Sequence, residues 1–280
     1  MAVTLIADGG STKVEWCLLN NGRKKTFFTQ GLSPYFLTTS QIATIISDEL
    51  MPKLKNVKVA TLFYYGTGCA NPAHAKNMKA ALKQIFKEAV IEVGTDLLGA
   101  ARALCGKEKG LACILGTGSN SCYYNGKKIT KNSPGLGYVL GDEASGAYLG
   151  KKVIQHYLYH TFDEELVLKF EEKYKITGPE ILDNVYKKPL ANRYLAGFTL
   201  FLAENRGHYM IENIIEDGIN DFFFQHLCKY PEIWKFPVHF AGSVAYGFKD
   251  VITELSKDYE FVLGQILKSP MQGLVKYHGV

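Results

Sequence analysis

At 280 residues the chain is long enough for about two domains, each able to bury its own core. Apolar residues make up 47% and charged residues 21%, an ordinary globular composition that excludes a disordered chain. The net charge of +5 is spread over interleaved lysines and acids, so no nucleic-acid arm is read, and no apolar run approaches the roughly 18 residues of a membrane span. Asp8 interrupts the only early apolar run and no basic segment precedes it, which argues against a signal peptide. The six cysteines have no C-x-x-C or zinc-like spacing and read as buried, reduced thiols, so a cytoplasmic protein is expected.

In chain order, "VTLIADGG" (3–10) is an apolar strand that runs into an acid and two glycines, and "STKVEWCLLN" (11–20) returns beside it. An Asn-Gly turn leads into a third strand, "KTFFTQG" (25–31). A helix over 39–54, a strand over 57–68, a helix over 72–89, a strand over 90–96 and a helix over 97–106 follow by periodicity. The opening pattern then returns: a strand at 111–115, a Gly-Thr-Gly turn, a strand at 119–124 and Asn125-Gly126. Aligning Gly9 with Gly116 brings the two Asn-Gly turns within three residues of register, as in a duplicated unit. Residues 144–231 read as mostly helical, and "FPVHFAGSVAYGFKDVITEL" (236–255) returns to strand, tight turn and helix. Strands alternating with helices predict an α/β architecture. The expected division is 1–106 and 107–268, with a C-terminal helix at about 269–280 packing back on the first domain.

"DGGST" (8–12) and "GTGSN" (116–120) are small-residue turns of the kind that bring backbone N–H groups close to phosphate. Either turn alone reads more readily as an ordinary hairpin, but the matched pair with an acid favours one polyphosphate gripped from both sides. Asp8 fits beside phosphate if Mg²⁺ or its water lies between them, and Lys13 adds positive charge. "FAGSVA" (240–245) is a strand-to-helix connection that also suits a phosphate or nucleoside. Asp96 reads as a helix N-cap or as a base at a strand's C-terminal end, and Asp142-Glu143 as caps or as acceptors for sugar hydroxyls. His156 and His160 lack a nearby acid and read as helix-face histidines.

Taken in order, "DGGSTK", "GTGSN", "GDEASGAY", "FAGSVA" and "GQILKSPMQGLVKYH" resemble the BadF/BadG/BcrA/BcrD ATPase family, and within it the N-acetylglucosamine kinases of the actin, Hsp70 and hexokinase superfamily. The resemblance implies two ribonuclease-H-like (actin-like ATPase) domains with a nucleotide cleft between them. It implies an ATP- and Mg²⁺-dependent kinase acting on an amino sugar, with a homodimer expected. By position, Asp8 matches the magnesium-organising acid, and Gly9, Gly10, Ser11, Thr12 and Lys13 match the first phosphate loop. Gly116, Thr117, Gly118 and Ser119 match the second phosphate loop, and Gly242 and Ser243 the adenosine pocket. Asp96 matches the catalytic aspartate, and Asn120 and Asp142 match sugar-binding residues. The sugar side departs from the family: Leu136, after Gly135, stands where tryptophan is common, and Ser33 or Tyr35 stands where the family offers asparagine. The resemblance also covers ATPase activators of CoA-dehydratase systems, whose cluster-binding cysteine motif is not recognisable here, and it leaves open a non-catalytic nucleotide-dependent sensor.

Overall fold

The computed structural model describes residues 3–10, 12–55 and 57–279. They fall into two units. One comprises the described residues within 1–108, 125–129 and 269–280, and the other comprises 109–124 and 130–268.

In the first unit β1 (Thr4–Gly9), β2 (Lys13–Asn20), β3 (Arg23–Gln30), β4 (Thr61–Gly66) and β5 (Val90–Thr95) form one sheet in the order β3-β2-β1-β4-β5. β1 is antiparallel to β2 and parallel to β4, which is parallel to β5. The uninterrupted apolar run of β1 follows from burial on both faces. Leu5 and Ala7 enter a cluster with Trp16, Tyr64 and the helix over Pro72–Ile85, whereas Ile6 enters another with Tyr65, Leu274 and Val275. The second face is covered by the helices Asp96–Cys105 and Met271–Tyr277.

The second unit repeats the plan with β6 (Lys109–Leu115), β7 (Ser119–Asn125), β8 (Ile129–Ser133), β9 (Val238–Ala241) and β10 (Leu263–Leu267). Their order, β10-β9-β6-β7-β8, matches that of the first sheet, and β6, β9 and β10 are mutually parallel. Both sheets are mixed. Helices between Gly146 and His226 pack around a core that includes Phe170, Phe201, Phe222, Phe223 and Phe240. Among the described residues, no helix is long and apolar enough to cross a membrane.

Three elements differ from the periodicity reading. The helix expected over 39–54 is interrupted by a π-helical turn at Ile46–Leu50. Pro52 has no N–H and its ring crowds the preceding turn, so the helix widens just before it. That stretch also closes the sheet's edge, because Glu49 accepts the Gln30 N–H at 2.8 Å and Lys53 donates to the Phe28 carbonyl at 2.7 Å. The helix expected to reach 89 stops at Ile85, and the strand read over 57–68 is confined to Thr61–Gly66. All six cysteines are free, and Cys228, expected to be buried, is exposed just beyond the helix Tyr209–His226.

Gly273 allows the C-terminal helix its close approach to Asp96–Cys105, since a Cβ there would clash with the Ala103 backbone. We expect Gly273→Ala to cost about 1–3 kcal/mol through overpacking, read as a lower melting temperature. An unchanged melting temperature would show that the helix shifts without loss.

Candidate active site

In the first unit, β1, β4 and β5 end level: Gly9 faces Gly66, and Gly66 faces Thr95. The C-terminal edge of parallel strands is where α/β proteins assemble ligand sites, because loops and helix N-termini converge there. Asp8 and Asp96 both stand at this edge. Burial pushes the Asp8 carboxyl up to about 7, the charges of Asp96 and Glu15 push the same way, and Lys13 opposes them. Burial also raises Asp96, against hydrogen bonds from backbone N–H groups, including that of Leu97, and from the Thr67 side chain. Two acids held close enough to resist joint ionisation are costly for a fold and useful for chemistry on a cation or a proton.

Asp96 is not the cap of its helix. Thr95 takes that position, its hydroxyl accepting the Leu98 N–H at 3.0 Å. Asp96 is the first helical residue, and its Oδ1 accepts the Leu97 N–H at 2.8 Å. The same substitution of roles occurs in the second unit. Ser145, rather than Asp142 or Glu143, caps the helix Gly146–Leu158 by accepting the Tyr148 N–H at 3.1 Å.

The β1–β2 turn is closed by the Gly10 N–H on the Lys13 carbonyl at 2.9 Å, and the Thr12 carbonyl accepts the Gly31 N–H at 3.0 Å. Gly9 has no room for a side chain, because a Cβ would strike the Tyr64 hydroxyl, which donates to the Leu32 carbonyl at 3.2 Å. Thr12 Oγ1 is buried without a hydrogen-bond partner. Lys13 is exposed, its ammonium 5.3 Å from the Phe28 ring centroid. Ser11 lies outside the described residues. Ser33 is only 4% exposed, so of the two residues read at this position Tyr35, at 61%, is the exposed one, next to the equally exposed Phe36.

In the second unit the β6–β7 turn is closed by the Gly116 N–H on the Gly118 carbonyl at 3.0 Å. The carbonyls of Gly116 and Thr117 accept the N–H groups of Gly146 and Ala147 at 2.7 and 3.1 Å, which seats the turn on a helix N-terminus. Asp142, at φ +59°, lies against this turn: a Cβ on Gly118 would stand 3.0 Å from its carboxylate, and the Ser119 N–H is near enough to favour the ionised acid. Burial raises the Asp142 carboxyl and Glu143 adds to the shift, while the Ser119 N–H, His226 and Lys151 oppose it. Ser119 Oγ, like Thr12 Oγ1, is buried and unpartnered.

Gly242, at φ +128°, packs on the end of β6, where a Cβ would meet the Leu115 carbonyl, so the third glycine turn adjoins the second. Ser243 is exposed at the start of the five-residue helix Ser243–Gly247. Asn120 Oδ1 accepts from the Ser121 N–H and from Asn132, each at 2.9 Å, and its amide nitrogen faces Gly135. Leu136 is exposed beside Gly135. His160, read as a helix-face residue, lies beyond the end of the helix Gly146–Leu158 at φ +55°. Among the described residues, no group of three His, Cys, Asp or Glu side chains is arranged as a metal cage.

Sequence reasoning passed over Thr67 and Tyr64. A signal for Thr67 was present: Gly66-Thr67-Gly68 repeats the Gly116-Thr117-Gly118 tripeptide. Tyr64 offers no such signal, because its role beneath Gly9 depends on the pairing of β1 with β4.

No family model matches the chain, and no curated protein sequence matches it. Among solved structures, a candidate N-acetylglucosamine kinase from Porphyromonas gingivalis is 39% identical, with 99% of this chain and 98% of that chain covered and a TM-score of 0.95. A candidate N-acetylglucosamine kinase from Chromobacterium violaceum is similar in fold, at 16% identity, 99% coverage of both chains and a TM-score of 0.73. The ADP-bound MreB5 of Spiroplasma citri has a TM-score of 0.59 at 9% identity, covering 100% of this chain and 95% of that one, which places the fold in the two-domain actin-like ATPase class.

The raised Asp8 carboxyl has a thermodynamic consequence. Its folded value of about 7 exceeds the ordinary 3.8, so the folded state holds an extra proton between them and ligand-free stability falls as pH rises through that window. Asp8→Asn removes the penalty, and we expect its melting temperature to exceed the parent's by at least about 4 °C at pH 8. The gap should close towards pH 4. A variant no more stable than the parent at pH 8 would contradict the burial argument.

Proposed function

The chain belongs to the N-acetylglucosamine kinase-like family, and we propose that it is an ATP-dependent kinase that transfers the γ-phosphoryl group to a hydroxyl of an amino sugar such as N-acetylglucosamine. The observation that carries the reading is the pair Asp8 and Asp96 at one edge of the first sheet, with Asp96 released from capping by Thr95.

Asp96 is the general base. It takes the proton of the acceptor hydroxyl as that oxygen bonds to the γ-phosphorus. The bond from the γ-phosphorus to the β–γ bridging oxygen breaks, and its electron pair leaves with ADP. Gly9, Gly10, Ser11, Thr12 and Lys13 in the first unit serve the phosphates. In the second unit Gly116, Thr117, Gly118 and Ser119 do the same, and Gly242 and Ser243 serve the adenosine. The unpartnered hydroxyls of Thr12 and Ser119 suit this role, since a buried hydroxyl without a partner gains most from a ligand that supplies one. Asp8 would hold Mg²⁺ directly or through a water, and the ion would neutralise charge on the β- and γ-phosphates. One hard carboxylate, held at a cost that a cation would relieve, fits an ion that takes few protein ligands and completes its shell with phosphate and water.

On the acceptor side we assign Asn120, Gly135, Leu136, Asp142 and Ser33. Asp142 packs against Gly118, so acceptor recognition and the second phosphate turn adjoin each other. Ser33 is covered, and its contribution runs through the loop that presents Tyr35.

A coupled ADP-release screen over N-acetylglucosamine, other amino sugars and plain hexoses tests the reading. Sugar-dependent release is expected, strongest with an N-acetylated amino sugar. Asp96→Asn should lower turnover by at least about 100-fold while nucleotide affinity stays near the parent's. Sugar-independent release, or turnover retained by that variant, would refute the assignment.

A further inference from the structure

We propose that Thr67 is a positioning residue that holds the Asp96 carboxylate in its working orientation and ties it to the strand that carries Asp8. The inference rests on the reading of Asp96 as the base.

Three observations in the first unit carry it. First, the level ends of β1, β4 and β5 place Thr67, one residue beyond Gly66, beside Asp96, one residue beyond Thr95. Second, Thr67 works at both ends: its N–H donates to the Gly9 carbonyl at 2.9 Å, and its hydroxyl lies near enough to the Asp96 carboxylate to favour the ionised form. The backbone bond alone would suffice to anchor the loop, so the hydroxyl is surplus to the architecture. Third, Thr67 is flanked by two glycines for separate steric reasons. A Cβ on Gly66 would strike the Tyr64 ring, and Gly68, at φ +79°, packs under the Tyr35 ring, where a Cβ would stand 2.9 Å from it. The tripeptide therefore presents one side chain, and that side chain meets the carboxylate.

A hydroxyl donating to a carboxylate makes a charge-assisted hydrogen bond that favours the ionised acid. The carboxylate accepts the Leu97 N–H at 2.8 Å from its own helix, and the Thr67 hydroxyl approaches it from the neighbouring strand's loop. Two contacts from different elements restrict its rotation. A base held in this way gives up little further order as the acceptor hydroxyl arrives. Threonine suits the task better than serine in one respect, because its branched Cβ leaves few χ1 choices. Since the Thr67 N–H also reaches Gly9, one residue adjoins both the phosphate turn and the base.

The test compares Thr67→Val, which keeps shape and loses the hydroxyl, with Thr67→Ala and Thr67→Ser, using N-acetylglucosamine and MgATP as probes. We expect the valine and alanine variants to lose about 10–100-fold in kcat, with KM for ATP within about twofold of the parent and nearly unchanged melting temperatures. The serine variant should recover to within about threefold. A carboxyl ¹³C titration, which needs no turnover, should place Asp96 higher in the valine variant than in the parent or serine variant. Parental kcat in Thr67→Val, with Asp96→Asn inactive, would overturn the positioning role alone. Turnover retained by Asp96→Asn would overturn both this proposal and the base assignment.

Discussion

Two carboxyl groups at the ends of parallel strands, partly buried and repelling each other, set the terms for the first unit. Asp8 and Asp96 stand on β1 and immediately beyond β5, separated by β4, and neither can move away without breaking the pairing that keeps the three strands level. Removing water from a carboxylate costs folding energy, and placing a second acid nearby adds to the cost. A fold selected only for stability would discard one of them. Keeping both makes sense when a ligand brings the compensating charge, so their strain and the proposed chemistry have one origin.

The second unit repeats the strand order of the first with a different balance of chemistry. Its equivalent of the β1–β2 turn has no acid at the strand end; instead Gly116, Thr117 and Gly118 sit on the N-terminus of a helix, with Asp142 folded over them. What the two turns share is an orphaned hydroxyl, Thr12 in one and Ser119 in the other. Buried hydroxyls without partners are uncommon in proteins, because the lost hydrogen bond is not recovered elsewhere. Their presence in both copies of a repeated turn is difficult to attribute to packing.

Division of labour between adjacent residues recurs at the helix termini. Thr95 caps so that Asp96 need not, and Ser145 caps so that Asp142 and Glu143 need not. Glu143 is then available to His226, 2.8 Å away, and Asp142 to the Ser119 N–H. The glycines at Gly9, Gly118 and Gly242 show the complementary strategy, in which a missing side chain admits a carbonyl, a carboxylate or a phenol that would otherwise be excluded.

The amino-acid sequence alone determined the alternation of strands and helices, the duplication, the two small-residue turns and Asp8 as an isolated acid in an apolar strand. These are local signals, written within a few residues by hydrophobic period and by glycine. Tertiary structure decided which neighbour caps each helix, that Ser33 is covered while Tyr35 is presented, that a π turn precedes Pro52, and that Thr67 meets Asp96. Each of those outcomes depends on strand register or on packing between segments distant in the chain. Thr67 and Asp96 are neighbours only because β4 pairs with β5 at one particular offset, and pairing offset is a property of the assembled sheet rather than of either segment.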